Sequence, residues 1–219
     1  MSTALELRIA PARREDCSVV AALHARAFPD AAMTGFGLEA VRRYYLWLLE
    51  GPHDGKLMLA WRGSRLVGFC AAGIFRQAVR GFLRTNVAFL AGRILRHPTL
   101  LSNELIRARM AHAIRVLLRL PLAVEPVEPA PLARGVRPFG VLSIATDPAV
   151  RGSGAGRRLM LEAEDRARRE GFDLMVLSVH PTNVDAIGFY ELLGWKRGVP
   201  ADGRWRGYME KLVTPARTV

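Results

Sequence analysis

Cysteine is scarce: the 219-residue chain has two, Cys17 and Cys70, in no Cys-x-x-Cys pair. A disulfide framework or a cysteine metal site needs more than that. Two small buried thiols in a reducing cytoplasm are therefore expected, with no metal. Long apolar runs are missing too. No stretch of about 18 consecutive apolar residues occurs, which excludes a membrane-spanning helix. The beginning, Met1-Ser2-Thr3-Ala4-Leu5-Glu6, lacks a basic segment followed by an apolar one, so no secretory signal is read there. Lysine is the third shortage: only Lys56, Lys196 and Lys211 among 32 basic residues. With abundant Ala, Gly and Leu, that skew fits the codon bias of a GC-rich genome as well as an anionic partner.

Half of the residues are apolar and 24% are charged, an ordinary balance for one globular domain of this length. The net charge of +12 is uneven. Residues 76–137 hold eleven arginines and three glutamates, so 11 − 3 = +8 of it lies there.

The most informative stretch is Arg151-Gly152-Ser153-Gly154-Ala155-Gly156-Arg157-Arg158. The apolar run Val141–Thr146 and Asp147-Pro148 precede it. A helical pattern through Leu159, Met160, Ala163 and Ala167 follows. A strand, a glycine turn and a helix make the setting for an anion: glycines let backbone approach a ligand closely, and the helix start offers unpaired N–H groups and a positive dipole end. Two phosphate-loop patterns fail. Walker A needs Lys-Ser or Lys-Thr after the glycines, and none follows. A dinucleotide fingerprint needs Gly-x-Gly-x-x-Gly and an acid about 20 residues on, whereas the next strand ends in Ser178-Val179-His180.

The spacing that fits is Arg-x-x-Gly-x-Gly, here Arg151, Gly154 and Gly156. It resembles the acyl-CoA pyrophosphate loop of the GNAT superfamily of N-acetyltransferases. A second block, Asn183-x-x-Ala186-x-x-Phe189-Tyr190-x-x-x-Gly194-Trp195, resembles that superfamily's Asn-x-x-Ala-x-x-Phe-Tyr-x-x-x-Gly-Phe signature, with Trp for the final Phe. The resemblance is specific over 138–212 and topological before that. It implies an α/β fold with a mixed, mostly antiparallel sheet, a central splayed parallel pair, helices on both faces and, here, a helical insertion.

The rest of the chain reads compatibly. Leu5–Ile9 alternates as a half-buried strand, and Glu15 or Asp16 opens a helix carrying Val19, Val20, Leu23 and Phe28. Residues 30–37 read as a loop. A second helix bears Leu38, Val41, Tyr44, Tyr45, Leu48 and Leu49. Lys56–Trp61 and Leu66–Ile74 make a hairpin. Gly171 caps the 156–170 helix, and Leu174–Val179 is a buried strand. Asn183–Leu193 is a short helix. Trp195–Arg197 and Arg206–Leu212 are the last strands.

Residues 76–137 are the departure: a basic helical insertion and proline-rich linker within a single domain spanning 1–219. Phe82 or Leu83, Val87, Leu90 and Ile94 fall on one face of a first helix, which His97-Pro98 ends. A second starts at Thr99 or Ser102, with Ile106, Met110, Ile114 and Leu117 on one side and Arg107, Arg115 and Arg119 on the other. Pro121–Pro138 is an extended linker. Three readings of the insertion stay open: an amphipathic lid with solvated arginines, an anion-attracting surface such as a membrane leaflet or glycan carrier meeting residues 80–120, and a nucleic-acid surface. The last is disfavoured, because interleaved aromatics are absent.

By the resemblance, acetyl-CoA is the cosubstrate and the acceptor is a small amine or amino sugar. The pantetheine arm would run along Ile144, Ala145 and Thr146 as an added strand does. The pyrophosphate would meet N–H groups of Gly152, Ser153, Gly154, Ala155, Gly156 and Arg157, with Arg151 and Arg157 at the rim. Asn183 would face pantetheine or cap its helix. Tyr190 would supply a proton to the departing thiolate. No base is identifiable: the central strand carries only Ser143 and Thr146, and Asp147 belongs to the turn. Phe36, Tyr44 and Tyr45 are acceptor contacts or core, and Glu39, His24 and His53 surface or packing residues. A non-catalytic acyl-CoA-binding module, or a membrane-surface acyltransferase of polysaccharide synthesis, are the alternatives. The sequence leaves the oligomeric state open.

Overall fold

The computed structural model describes residues 6–75, 78–102, 104, 106–108, 110–111, 138–198 and 203–213. The alternating N-terminal segment forms β1 (Leu7–Pro11), antiparallel to β2 (Asp54–Arg62), which turns tightly into β3 (Arg65–Ile74). β3 pairs antiparallel with β4 (Phe139–Thr146), and β4 lies parallel to β5 (Leu174–Ser178). The short β6 (Lys196–Arg197) and β7 (Tyr208–Leu212) complete a sheet of order β1-β2-β3-β4-β5-β7-β6.

Each face of the sheet buries its own apolar set. On one side α1 (Cys17–Ala27) and α3 (Leu38–Glu50) cover Leu57, Leu59, Phe69, Ala71 and Ala145. On the other, α5 (Ala155–Arg169) and α6 (Val184–Leu192) cover Met58, Ala60, Val67, Cys70, Ala72 and Met175. The strands alternate because successive side chains point to opposite faces. α5 presents Ala155, Leu159, Met160, Ala163 and Ala167 to the sheet, a stripe at the helical period. It ends as expected at Gly171 (φ +76°), where the Phe172 N–H reaches the Ala167 carbonyl at 2.9 Å and the Gly171 N–H the Arg168 carbonyl at 3.2 Å. Glu164, 1% exposed, is the charged member of this buried stripe. Lys211 Nζ at 2.7 Å and Arg168 Nη2 at 3.4 Å compensate it. Both cysteines are buried and free.

The central feature is where the parallel pair parts. β4 and β5 are in register at Phe139–Met175, Gly140–Val176 and Val141–Leu177, and the ladder stops there. On the β3 side, Ala72 pairs with Val141 and Ala71 with Ser143, so Leu142 is an extra, bulged residue. Such an insertion bends its strand and breaks pairing locally. Beyond it, β4 stays with β3 as far as Thr146 opposite Gly68. β5 stays with β7 through Ser178 opposite Tyr208, and the Val179 N–H continues to the Gly207 carbonyl at 2.8 Å. The expected mixed sheet with a parted central pair and helices on both faces is what forms.

Three local details differ from the sequence expectation. A single helical turn, α2 (Ala32–Gly35), occupies the loop predicted over 30–37. The last strand begins at Tyr208 rather than Arg206. In α4 (Ala78–Arg96) the buried positions are Ala78, Phe82 and Asn86, and Val87 is 52% exposed. The helix turns Asn86 inward because its amide is satisfied there: Nδ2 donates to the Phe82 carbonyl at 3.1 Å, and Oδ1 lies 3.5 Å from Arg43 Nη1. That rotation also sets Phe82 edge-on to Tyr44, at 5.3 Å, and Phe89 beneath the Arg43 guanidinium at 4.3 Å. Farther on, Ile106 is buried. Ile114, Leu117, Arg115, Arg119 and most of the linker lie outside the described residues. Among those described, no helix is long and apolar enough to cross a membrane.

Candidate functional site

The glycine turn is anchored at its root. Asp147 follows β4 directly, and its carboxylate accepts the Ala149 N–H at 3.1 Å, capping the Pro148–Val150 turn. The same carboxylate, 3% exposed, takes Arg65 Nη2 at 2.9 Å and Arg26 Nη2 at 3.2 Å. Arg65 above all holds this carboxyl below its ordinary range, against the opposing effect of burial. One buried side chain thus ties the turn to β3 and to the end of α1.

Gly152 (φ +76°) and Gly154 (φ +80°) carry the chain through the left-handed region, where another residue costs about 1–2 kcal/mol. Gly154 is also the N-cap of α5. The Ser153 N–H is spent on the Val150 carbonyl, at 3.3 Å, and the first intrahelical bond runs from the Arg158 N–H to the Gly154 carbonyl at 3.0 Å. Between them, the amides of residues 154–157 have no backbone partner among the described residues, as the first turn of a helix requires. Arg151 and Arg157 are exposed and form no ion pair among the described residues. This is a cationic turn with free donors, chemically matched to a diphosphate.

These donors open on a cavity of about 770 Å³ at the parting of β4 and β5. Ile144, Ala145 and Thr146 form its strand wall, residues 151–157 its floor, and Asn183 and Tyr190 its far side. The structure therefore brings all the sequence-predicted site residues to one cavity. Asn183 acts as the N-cap of α6, its Oδ1 accepting the Ala186 N–H at 3.1 Å. Tyr190 is 8% exposed, packed against Phe189 and Trp195 with ring centroids 5.3 and 6.1 Å away. Its hydroxyl makes no hydrogen bond to a described residue. Burial, chiefly, pushes the phenol up to about 12, so it stays protonated at any ordinary pH.

The remaining sequence candidates lie apart from this cavity. Glu39 clamps Arg42 and Arg43 at 2.7 and 2.8 Å, and the bond to Arg42 foremost draws its carboxyl down to about 2. His53 sits edge-on to Trp47, its ring 5.2 Å away. Phe36 offers its carbonyl to Arg93 Nε at 3.1 Å. Tyr44 packs between Tyr45 and Phe82. Tyr45 and His24 are buried core, with Tyr45 Oη and His24 Nδ1 2.8 Å apart.

Sequence reasoning missed Ala27 and Phe28, which also line the cavity. Phe28 was expected only as a core residue of α1. The signal for its position is tertiary, arising where α1 ends against the root of the turn.

His24 has a consequence for stability. Burial lowers its imidazole to about 4, from an ordinary 6.5. Between those values the unfolded chain binds a proton that the folded chain refuses, so stability is full above pH 6.5 and falls as pH drops toward about 4. Urea midpoints should decline over that window in the native protein. In His24→Gln the decline should flatten between about pH 6.5 and 5, where carboxylates with ordinary values do not titrate.

The parted parallel pair, the bulged strand beside it and the amide-lined turn define a class: the α/β acetyltransferase fold of the GNAT type. Residues 131–195 match the family model described as the acetyltransferase (GNAT) family. Solved structures agree on the fold. A mosquito arylalkylamine N-acetyltransferase like 5b aligns with TM-score 0.58 and 16% identity, over 95% of this chain and 100% of that one. The PaiA N-acetyltransferase of Thermoplasma acidophilum, solved with coenzyme A, aligns with TM-score 0.55 and 14% identity, over 94% and 99%. The protein yncA of Salmonella typhimurium, solved with its cofactor acetyl-CoA, aligns with TM-score 0.51 and 18% identity, over 97% and 96%. No match is found among curated proteins.

Proposed function

We propose that this protein, as a single domain with 76–137 inserted, transfers an acetyl group from acetyl-CoA to the primary amine of a small molecule or amino sugar by direct attack. The observation that carries the reading is the set of unpartnered amides at residues 154–157, opening on the slot where β4 leaves β5. The diphosphate would rest on those amides, with Arg151 and Arg157 adding charge. The pantetheine arm would lie along Ile144–Thr146, whose pairing edge β5 has vacated. Two neighbours of this fold are described with acetyl-CoA or coenzyme A, which favours that donor. The arylalkylamine neighbour favours an amine acceptor in kind, though not in identity.

The chemistry then needs three things from the chain. The neutral amine attacks the thioester carbon, and negative charge grows on the carbonyl oxygen. A free N–H of β4 near Ile144 would stabilise that oxygen. The C–S bond breaks, and the Tyr190 hydroxyl donates to the sulfur as it gains charge. The thiolate leaves hydrogen-bonded to Tyr190 and takes up the amine's surplus proton through water, so thiol and N-acetyl product are released and Tyr190 keeps its own proton.

Two measurements test this. Millimolar acetyl-CoA should raise the melting temperature by several degrees, and free thiol should accumulate when amines are added. An unchanged melting temperature counts against the donor site. A raised one without thiol release from any amine of a broad panel leaves a binding module instead.

A further inference from the structure

The layer beneath β4 contains a run of hydrogen-bonded polar groups that the acyl-transfer reading does not use. His24 Nδ1 lies 2.8 Å from Tyr45 Oη, and Tyr45 Oη lies 3.2 Å from Ser143 Oγ. Tyr45 is fully buried and His24 8% exposed, in an apolar shell that includes Phe28 and Phe69. Polar groups in such a place cost stability unless each is paired, and His24 Nε2 has no partner among the described residues. A purely packing role would be filled better by apolar side chains. Ser143 is the half-exposed end of the run. It sits directly after the bulged Leu142, beside the cavity-lining Ile144, at the point where β4 has lost its β5 neighbour.

The direction of the bonds follows from donor and acceptor strength. A phenol is a strong donor and a weak acceptor, and a neutral imidazole nitrogen is the best acceptor in the run. The Tyr45 hydroxyl therefore donates to His24 Nδ1, which places the imidazole proton on Nε2. Its own donor spent, Tyr45 Oη accepts from the Ser143 hydroxyl. Ser143, half-exposed, is left with only lone pairs to offer on its open side.

We infer that His24 and Tyr45 act through Ser143 as positioning residues, orienting its hydroxyl as an obligate hydrogen-bond acceptor for the N–H of the incoming amine. The inference rests on the acetyl-transfer reading above and adds the acceptor's docking point. It also selects among nucleophiles: a group that brings an N–H to spare after attack meets Ser143 favourably, whereas a thiolate or carboxylate meets two lone pairs.

Steady-state kinetics on the best amine of a panel tests this. Ser143→Ala and Tyr45→Phe should each raise the acceptor KM about 5- to 10-fold while the acetyl-CoA KM stays within about twofold, the size of one lost hydrogen bond. The double variant should be no worse than either single one, because both break one run. Ser143→Thr, which restores a hydroxyl, should recover most of the acceptor KM. Equal changes in both KM values, additive losses in the double variant, or a Ser143→Thr as poor as Ser143→Ala would each overturn the inference. Should Tyr45→Phe fail to fold, the Ala and Thr variants at Ser143 decide alone. If native protein releases no thiol and acetyl-CoA leaves its melting temperature unchanged, the acetyl-transfer reading itself has failed and the docking point falls with it. Thiol release with unaltered acceptor KM in Ser143→Ala removes only the docking point.

Discussion

Tyr190→Phe should lower kcat about 100-fold while leaving the acetyl-CoA-induced rise in melting temperature intact. General acid catalysis contributes on the order of 10²–10⁴ in rate, and the environment of Tyr190 selects the lower end. Burial has pushed its phenol up to about 12, whereas an ordinary thiol sits near 8.5. Complete transfer to the thiolate would therefore climb by roughly 3.5 pKa units, or about 5 kcal/mol. A donated hydrogen bond that strengthens as sulfur gains charge has no such hill, and it is worth about 1.5–3 kcal/mol when the acceptor is charged. The ring keeps its packing against Phe189 and Trp195 in the Phe variant, so fold and cosubstrate binding should be preserved. A loss below about threefold would remove Tyr190 from the chemistry. A loss of the acetyl-CoA thermal shift would make it a binding residue instead.

Gly154→Ala should weaken acetyl-CoA binding about 30-fold, or about 2 kcal/mol, because its added Cβ would hold a diphosphate off the turn's amides by the equivalent of one charge-assisted hydrogen bond. The site supplies its own control. Gly154 (φ +80°) and Gly171 (φ +76°) stand at opposite ends of α5, and an added Cβ at either meets no described residue within 4 Å. Both substitutions therefore carry the same backbone strain, about 1–2 kcal/mol, without a steric clash. Gly171 is remote from the cavity, and Gly154 lies in its floor. The two variants should lose comparable stability in urea, but only Gly154→Ala should lose affinity by calorimetry. Equal affinities would show that no diphosphate comes close to this turn.

The features legible in the sequence are those whose physics is local. The glycine turn and the block from Asn183 to Trp195 each declare themselves within about a dozen residues. Their chemistry (φ > 0, an N-cap, an apolar stripe) depends on neighbours in the chain. The run of His24, Tyr45 and Ser143 was illegible because its members come from α1, α3 and β4, and each alone resembles core or surface. The cavity wall at Ala27 and Phe28 was hidden for the same reason. In α4 the hydrophobicity of Val87 pointed inward, but the amide of Asn86 found partners inside and won the position. The roots of the cleft were out of reach as well, since nothing in Val141-Leu142-Ser143 announces an unpaired residue.

That unpaired residue governs the strand's parity. Upstream of Leu142 the odd positions, Phe139 and Val141, belong to the α5 layer. Downstream, the odd position Ala145 belongs to the α1–α3 layer, and Ser143 reaches Tyr45 of that layer. Excising Leu142 would leave Ser143 and Ile144 on their present sides, since Ser143 would follow Val141 directly and still stand opposite Ala71, but it would remove the bend that the bulge puts into the strand. Donor and acceptor recognition share one strand because neighbouring residues point to opposite faces, and the supernumerary residue supplies the kink at which that strand leaves β5.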